Sequence, residues 1–184
     1  DEVTNLPWEM SETELQSALG LRAVKLLNDL ESIAYAVPHM LPTDLHAINT
    51  GVAIEGGAIA VIAPGTGLGE AFLTSENGRY RAHPSEGGHA SFAPNDPQQR
   101  ELLRYLQERI GHVSCERVCS GLGIPNIYAF VRDSGIAEEP AWLAEQLAAA
   151  RDHTPVIVKT ALNPTRPCAI CITTLRLFVS ILGA

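Results

Sequence analysis

The sequence has no run of about 18 apolar residues, so no stretch of it reads as a membrane-spanning helix. It has no basic surplus either: 13 Lys and Arg stand against 21 Asp and Glu, a net charge of −8. A nucleic acid or an anionic membrane is held by a basic face, so neither is an expected partner. The first ten residues, DEVTNLPWEM, are acidic and lack an apolar centre, so they do not read as a signal peptide, and the expected compartment is the cytoplasm. Internal repeats and low-complexity tracts are absent. Cysteine is sparse, with four in the chain: Cys115, Cys119, Cys168 and Cys171. The CxxxC and CxxC spacings admit zinc, but neither pair carries the turn glycine of a zinc knuckle. Cys119 and Cys171 stand among apolar residues, as small buried side chains do, and reduced packing thiols are the preferred reading. No metal ligand is assigned.

What the chain does have is enough apolar residue, 46% of 184, to bury a core as one domain or as parts of two. Ser11 and Glu14 have the spacing of a helix capping box, Leu15, Ala18 and Leu19 supply a short apolar stripe, and Gly20 stops it. Residues 23–27 read as a buried strand closed by Asn28 and Asp29, and a second short helix stops before Pro38. That helix–strand–helix order predicts an α/β fold. From residue 48 the character changes. Strands are expected at 59–62 and 71–74, with a glycine turn at 64–69 between them and an Asn-Gly hairpin signal at 76–79. A domain boundary is therefore expected between Pro38 and Asp44. Beyond residue 96 the chain reads as helical. Asp96-Pro97 starts a helix with Leu102, Leu103, Leu106 and Ile110 on its buried face, and Gly111 ends it. Pro125 is expected to open the next helix, and 138–150 and 168–182 follow as helices, while 156–158 fits strand or helix equally.

Four stretches carry candidate chemistry. In PGTGLG (64–69), Gly65, Thr66 and Gly67 could aim amides and a hydroxyl at an anion. No Gly-Lys-Ser/Thr follows and no helix is expected after it, so it is neither a Walker loop nor a dinucleotide fingerprint, and a plain turn remains the other reading. In SEGGHASFAP (85–94), Glu86 and His89 flank two glycines that would let both side chains enter one pocket. A carboxylate accepting from vicinal hydroxyls suits a polyol, and a surface loop with a satisfied histidine is the alternative. Asn28 and Asp29 sit where an α/β sheet presents residues to a ligand, yet Asp and Asn are also favoured helix caps, and on these residues alone the cap is preferred. Glu116, in HVSCERVCSGLG (112–123), is a further acid, and a solvated helix residue paired with Arg117 or Arg109 would explain it equally.

Taken in order, these stretches resemble the bacterial ATP-dependent glucokinase family, in the sugar-kinase branch of the ribonuclease-H-like, actin-like ATPase fold. LLNDLESIAYAVP (26–38) is similar to its Asn-Asp segment and VIAPGTGLGEAFL (61–73) to its second phosphate motif. PSEGGHASFAP (84–94) is similar to its sugar loop, GHVSCERVCSGLGIPNIYAF (111–130) to its Glu-Arg-Val-x-Ser-Gly helix start, and 161–183 to its next helix. The resemblance implies phosphorylation of the glucose 6-hydroxyl with ATP and Mg²⁺. Asp29 would be the general base, Asn28, Asp29, Glu86, His89 and Glu116 would hold the sugar, and Gly65, Thr66 and Gly67 would face the ATP phosphates.

Some residues depart from the family pattern. Glu70 replaces a small apolar residue, Ser91 stands where an acid is common, and Leu122 and Pro125 alter the region after the Ser-Gly pair. The family's Asp-x-Gly-Gly-Thr-Asn phosphate hairpin and its later Gly-Gly adenosine motif do not occur. The expected organisation is thus an incomplete fold: residues 1–40 as the end of a small α/β domain and 41–184 as the start of a larger α+β domain. Such a chain is expected to bind MgATP poorly alone, to turn over little, and to expose apolar surface that favours a homodimer. A non-catalytic sugar-binding or regulatory remnant is the alternative, and an unrelated α/β domain with plain glycine turns is a third.

Overall fold

The Asn77-Gly78 pair makes a two-residue hairpin turn. Both residues take left-handed backbone, at φ 52° and 76°, as a two-residue hairpin of the right twist requires. The computed structural model describes residues 10–184; residues 1–9, which include most of the acidic start, lie outside the described residues. The hairpin joins β2 (Leu68–Glu76) to β3 (Arg79–Ser85), in register from Glu76 opposite Arg79 to Glu70 opposite Ser85. β1 (Ile59–Pro64) pairs antiparallel with β2, so the sheet runs β1-β2-β3. Period-2 alternation sends Ala71, Leu73 and Ala82 to one face, where they are buried with Ala34 of helix α2 (Asp29–Ala36). On the other face Phe72 stacks on His83 at a centroid distance of 4.9 Å, and Thr74 Oγ1 meets His83 Nε2 at 2.9 Å.

The second core is helical. It is built by α3 (Pro97–Ile110), α4 (Gly123–Asp133), α5 (Ala141–Ala149), α6 (His153–Ala161) and α7 (Ala169–Leu182). Asp96 caps α3 through the Gln99 amide at 2.8 Å, with Pro97 at the first position, where its missing N–H costs nothing. Leu102, Leu106, Ile127, Leu143, Ile157 and Ile170 are fully buried here. Cys119, Cys168 and Cys171 are buried and Cys115 is half-buried, all with free thiols. Burial pushes the Cys171 thiol up to about 12, helped by the neighbouring Cys168, which is the behaviour of a packing thiol rather than a reactive one.

Several expectations need correction. Residues 23–27 form no strand. Among the described residues no strand pairs with them; Lys25 and Leu27 are exposed, and the Leu26 amide donates to the Glu12 carboxylate at 2.8 Å. An apolar run becomes a strand only where a neighbour completes the ladder. Preceding it, α1 (Glu12–Leu19) forms with the Ser11 hydroxyl accepting from the Glu14 amide at 3.5 Å, and ends at Gly20, but it buries none of its own side chains. In α3, Ile110 is exposed although Leu102 and Leu106 are buried. Helix α4 opens at Gly123, two residues before Pro125, which fits because the first turn needs no intrahelical N–H partner. Helix α5 starts only after Pro140, and the ambiguous 156–158 lies inside α6. No helix among the described residues is long and apolar enough to cross a membrane.

Candidate functional site

The start of β2 is where the singled-out stretches meet. The first turn of α2 packs on it through Leu30, whose Cδ2 would lie 2.5 Å from a Cβ on Gly69. Asn28 caps that helix: its Oδ1 accepts from the Leu30 amide at 2.9 Å and from Glu31 at 3.4 Å. Asp29 is the first helical residue, and its Oδ1 shares the Leu30 amide at 2.8 Å. The cap reading of Asn28 is thus realised, and the strand expected to precede the pair is absent. Asp29 remains exposed with its second carboxylate oxygen uncommitted.

The 85–94 stretch reaches the same place. Residues Gly87–His89 make one 3₁₀ turn after Glu86. A Cβ on Gly88 would lie 2.5 Å from the Leu68 carbonyl, a backbone atom, so the turn can seat against β2 only with glycine there, while one on Gly87 would displace the Glu70 carboxylate. Glu86 and His89 face each other at 3.5 Å, both well exposed. The glycines therefore serve close approach to β2, and the two polar side chains project away from it into solvent.

Glu116 comes from the 3₁₀ turn Cys115–Arg117, which runs beside the 85–94 stretch; the Cys115 amide donates to the Ala90 carbonyl at 2.9 Å. Its Oε2 accepts from the Leu68 amide at 3.0 Å and occupies the space a Cβ on Gly67 would need. It pairs with neither Arg117 nor Arg109; Arg109 instead lies 3.7 Å from Asp133. Glu70, the departure noted above, is half-buried on β2 with its carboxylate against Gly87. Ser91, another departure, meets His112 Nε2 through its hydroxyl at 3.2 Å. The structure thus brings Glu86 and His89 together, sets Glu116 on the glycine turn, and joins Asn28 and Asp29 to both only through the packing of Leu30 on Gly69.

The glycine turn itself is held from two sides. The Gly65 amide donates to the Gly67 carbonyl at 2.9 Å, while Gly65 and Thr66 carbonyls accept from the Gly121 and Leu122 amides at 2.8 and 3.2 Å. Those contacts fix the turn to the segment that leads into α4. Among the described residues, the Thr66 amide and hydroxyl donate to nothing. Gly65 and Thr66 line a cleft of about 510 Å³, a size that suits a small ligand. Its other wall comes from the start of α6: Arg151, Asp152, His153 and Thr154. The sequence reading missed this wall. Asp152 caps α6 through the Thr154 amide at 2.9 Å, and an Asp-x-Thr start was a legible signal once 156–158 was taken as helix.

A sequence profile named Glucokinase matches residues 1–184. The chain belongs to the glucokinase family. A glucokinase of Nostoc punctiforme is 39% identical over 145 residues, covering 78% of this chain and 42% of that protein. A glucokinase of Chromohalobacter salexigens is 37% identical over 185 residues, covering all of this chain and 54% of that protein. Among solved structures, glucokinase from an Antarctic psychrotroph matches at TM-score 0.76 and 32% identity, covering 98% of this chain and 52% of that one. The glucokinase of Balamuthia mandrillaris, solved in complex with glucose, matches at TM-score 0.58 and 28% identity, covering 71% and 36%. These place the chain in the actin-like ATPase fold of the glucokinases. The chain spans about 38% to 54% of the length of the curated glucokinases it matches.

The glucokinase-family match also bears on Mg²⁺, which the activity named by the family would use. Among the described residues no group of three or more His, Cys, Asp or Glu gathers to cage a metal. A cation held by nucleotide phosphates and water needs no such group.

Proposed function

We propose that this chain carries the sugar-binding and part of the phosphate-binding apparatus of an enzyme that phosphorylates glucose at its 6-hydroxyl with MgATP. The observation that carries the reading is the convergence on residues 67–70. Glu116 lies on Gly67 and Leu68, Gly88 on Leu68, Leu30 on Gly69, and Gly87 on Glu70. Three stretches distant in sequence meet on the end of the glycine turn and the start of β2, and each of the four, the turn included, carries an acid or a donor suited to hydroxyls or phosphates.

In this reading Asn28, Asp29, Glu86, His89 and Glu116 hold the sugar. Carboxylates accept from pairs of hydroxyls, and the histidine can donate or accept. Asp29 takes the proton of the 6-hydroxyl as that oxygen attacks the terminal phosphorus of ATP; the bond to the bridging oxygen breaks and ADP leaves. A positioned base contributes about 10²–10⁴-fold, and the remainder is alignment and charge stabilisation. Gly65, Thr66 and Gly67 offer unhindered amides and a hydroxyl to the phosphates. Mg²⁺ carried on the nucleotide would supply charge neutralisation at the phosphates. The division near residues 38–44 into a small and a larger domain, the cytoplasmic location and a homodimer belong to the same proposal. Exposed Ile48, Val52 and Ile54 supply apolar surface for self-association. Low turnover of this chain alone is also part of it, since its relatives are about twice as long.

The test is glucose-dependent thermal stabilisation together with ADP release in the presence of MgATP. Glucose is expected to raise the Tm of the chain, and Glu86→Gln to remove the shift. A wild-type Tm indifferent to glucose up to tens of millimolar, with no ADP released, would overturn the reading.

A further inference from the structure

The cleft beside the glycine turn has a second wall that the proposed function does not use. Arg151 and His153 line it, and both are exposed. Among the described residues neither makes an ion pair or a hydrogen bond through its side chain. An acidic chain with 21 carboxylates and 13 Lys and Arg could easily have neutralised an idle arginine, yet this one has no acidic partner. The only carboxylate lining the cleft is Asp152, whose Oδ1 is committed to the Thr154 amide at 2.9 Å. Thr154 is itself anchored: its hydroxyl donates to the Gly121 carbonyl at 2.7 Å, and the Gly121 amide donates to the Gly65 carbonyl at 2.8 Å. One chain of hydrogen bonds thus fixes the separation of the two walls. On the facing wall, the Thr66 amide and hydroxyl have no partner, and a Cβ on Gly65 would meet nothing within 4 Å.

We propose that Arg151 and His153 are nucleotide-positioning residues that hold the phosphate chain of a nucleoside triphosphate from the side opposite Gly65 and Thr66. The inference rests on the reading of that turn as a phosphate site, and adds residues from α6 to it. The guanidinium is the natural member: its planar fork matches two phosphate oxygens at once. The imidazole next to it supplies one more donor, and the cleft at about 510 Å³ has room for phosphates between the walls.

Calorimetric titration of the 184-residue chain with MgATP and with magnesium tripolyphosphate tests this. A Cβ on Gly65 meets nothing within 4 Å, so Gly65→Val is expected to block the cleft without unfolding the chain. Arg151→Gln is expected to weaken both probes about tenfold, and His153→Asn about threefold, with Tm unchanged. Arg151→Lys, which keeps the charge and loses the fork, should recover part of the loss and guards against a folding artefact. If MgATP binds, Gly65→Val abolishes binding, and the Arg151 and His153 variants stay within twofold of the parent, the inference is overturned while the turn reading stands. If the parent binds neither probe, or Gly65→Val binds as the parent does, the turn reading falls and the inference with it.

Discussion

The carboxylate of Glu116 accepts a hydrogen bond from the Leu68 amide at 3.0 Å, across 48 residues of sequence. It can do so because Gly67 leaves the space that its Oε2 fills. Truncation and neutralisation should therefore separate. Glu116→Ala leaves a half-buried amide without its partner and is expected to cost about 1–3 kcal/mol in urea unfolding. Glu116→Gln keeps an acceptor oxygen and should cost well under half of that, while still weakening glucose. Gly67→Ala should mimic the loss of the bond by pushing the carboxylate aside. Equal unfolding midpoints for Glu116→Ala and the parent would show the contact to be idle.

Two glycines of the site should answer oppositely to the same methyl group. At Gly88 the methyl would meet the Leu68 backbone carbonyl at 2.5 Å, an atom that cannot swing aside, so Gly88→Ala is expected to destabilise by about 1–3 kcal/mol. At Gly65 a methyl meets nothing within 4 Å and the backbone needs no positive φ, so Gly65→Ala should change stability by no more than about 0.5 kcal/mol. Denaturant midpoints of the two variants side by side decide the matter. A costly Gly65→Ala would mean the turn is strained in a way the packing does not reveal.

Asn28 and Asp29 are adjacent in sequence, yet their roles are expected to part. Asn28 caps α2 through two amides, so Asn28→Ala should cost about 1 kcal/mol of stability. Asp29 lies one residue into the helix, and Asp29→Asn leaves the cap in place. Its expected effect is on turnover: glucose-dependent ADP release should fall about 10²–10⁴-fold with the unfolding midpoint nearly unmoved. A fall in stability without a fall in the rate per folded molecule would remove Asp29 from the chemistry.

How much of this was legible in the sequence depended on whether the signal was local. The Asn77-Gly78 turn, the Asp96-Pro97 start and the apolar run of α7 each specify their structure within a few residues, and all three formed. The supposed strand at 23–27 failed because strand formation is decided by a neighbour, and pattern alone cannot supply one. Resemblance assigned Glu86, His89 and Glu116 in advance, and the glycines between Glu86 and His89 read as letting both side chains enter one pocket rather than as a close approach. Gly67 and Gly88 are needed for close approach to groups that arrive from other parts of the chain. Arg151 and His153 went unread because the Asp-x-Thr start marks only a helix cap, and the other half of the cleft wall lies at residues 65–66.

Away from the site, Tyr105 sets an alkaline limit to stability. Its hydroxyl donates to Asp133 Oδ2 at 2.5 Å. Partial burial first, and then that bond and the charge of Asp133, push the phenol up to about 12 from its usual 10. The same bond holds the Asp133 carboxyl below its ordinary value, with Arg132 and Arg109 adding to it. The phenol is held in its protonated form by the fold, so its contribution is complete below pH 10 and is lost as pH rises from about 10 through 12. The carboxylate has the opposite sense: its contribution is present above the ordinary carboxyl value of about 4 and is lost as pH falls through the depressed one. Unfolding free energy followed by urea from pH 8 to 11 should decline, and the decline should be shallower in Tyr105→Phe by up to one proton per molecule. It should not vanish, because burial also raises Tyr128 and the Cys171 thiol. An identical slope in parent and Tyr105→Phe would show that the phenol titrates alike in the folded and unfolded chain, and that its bond to Asp133 does not persist in solution.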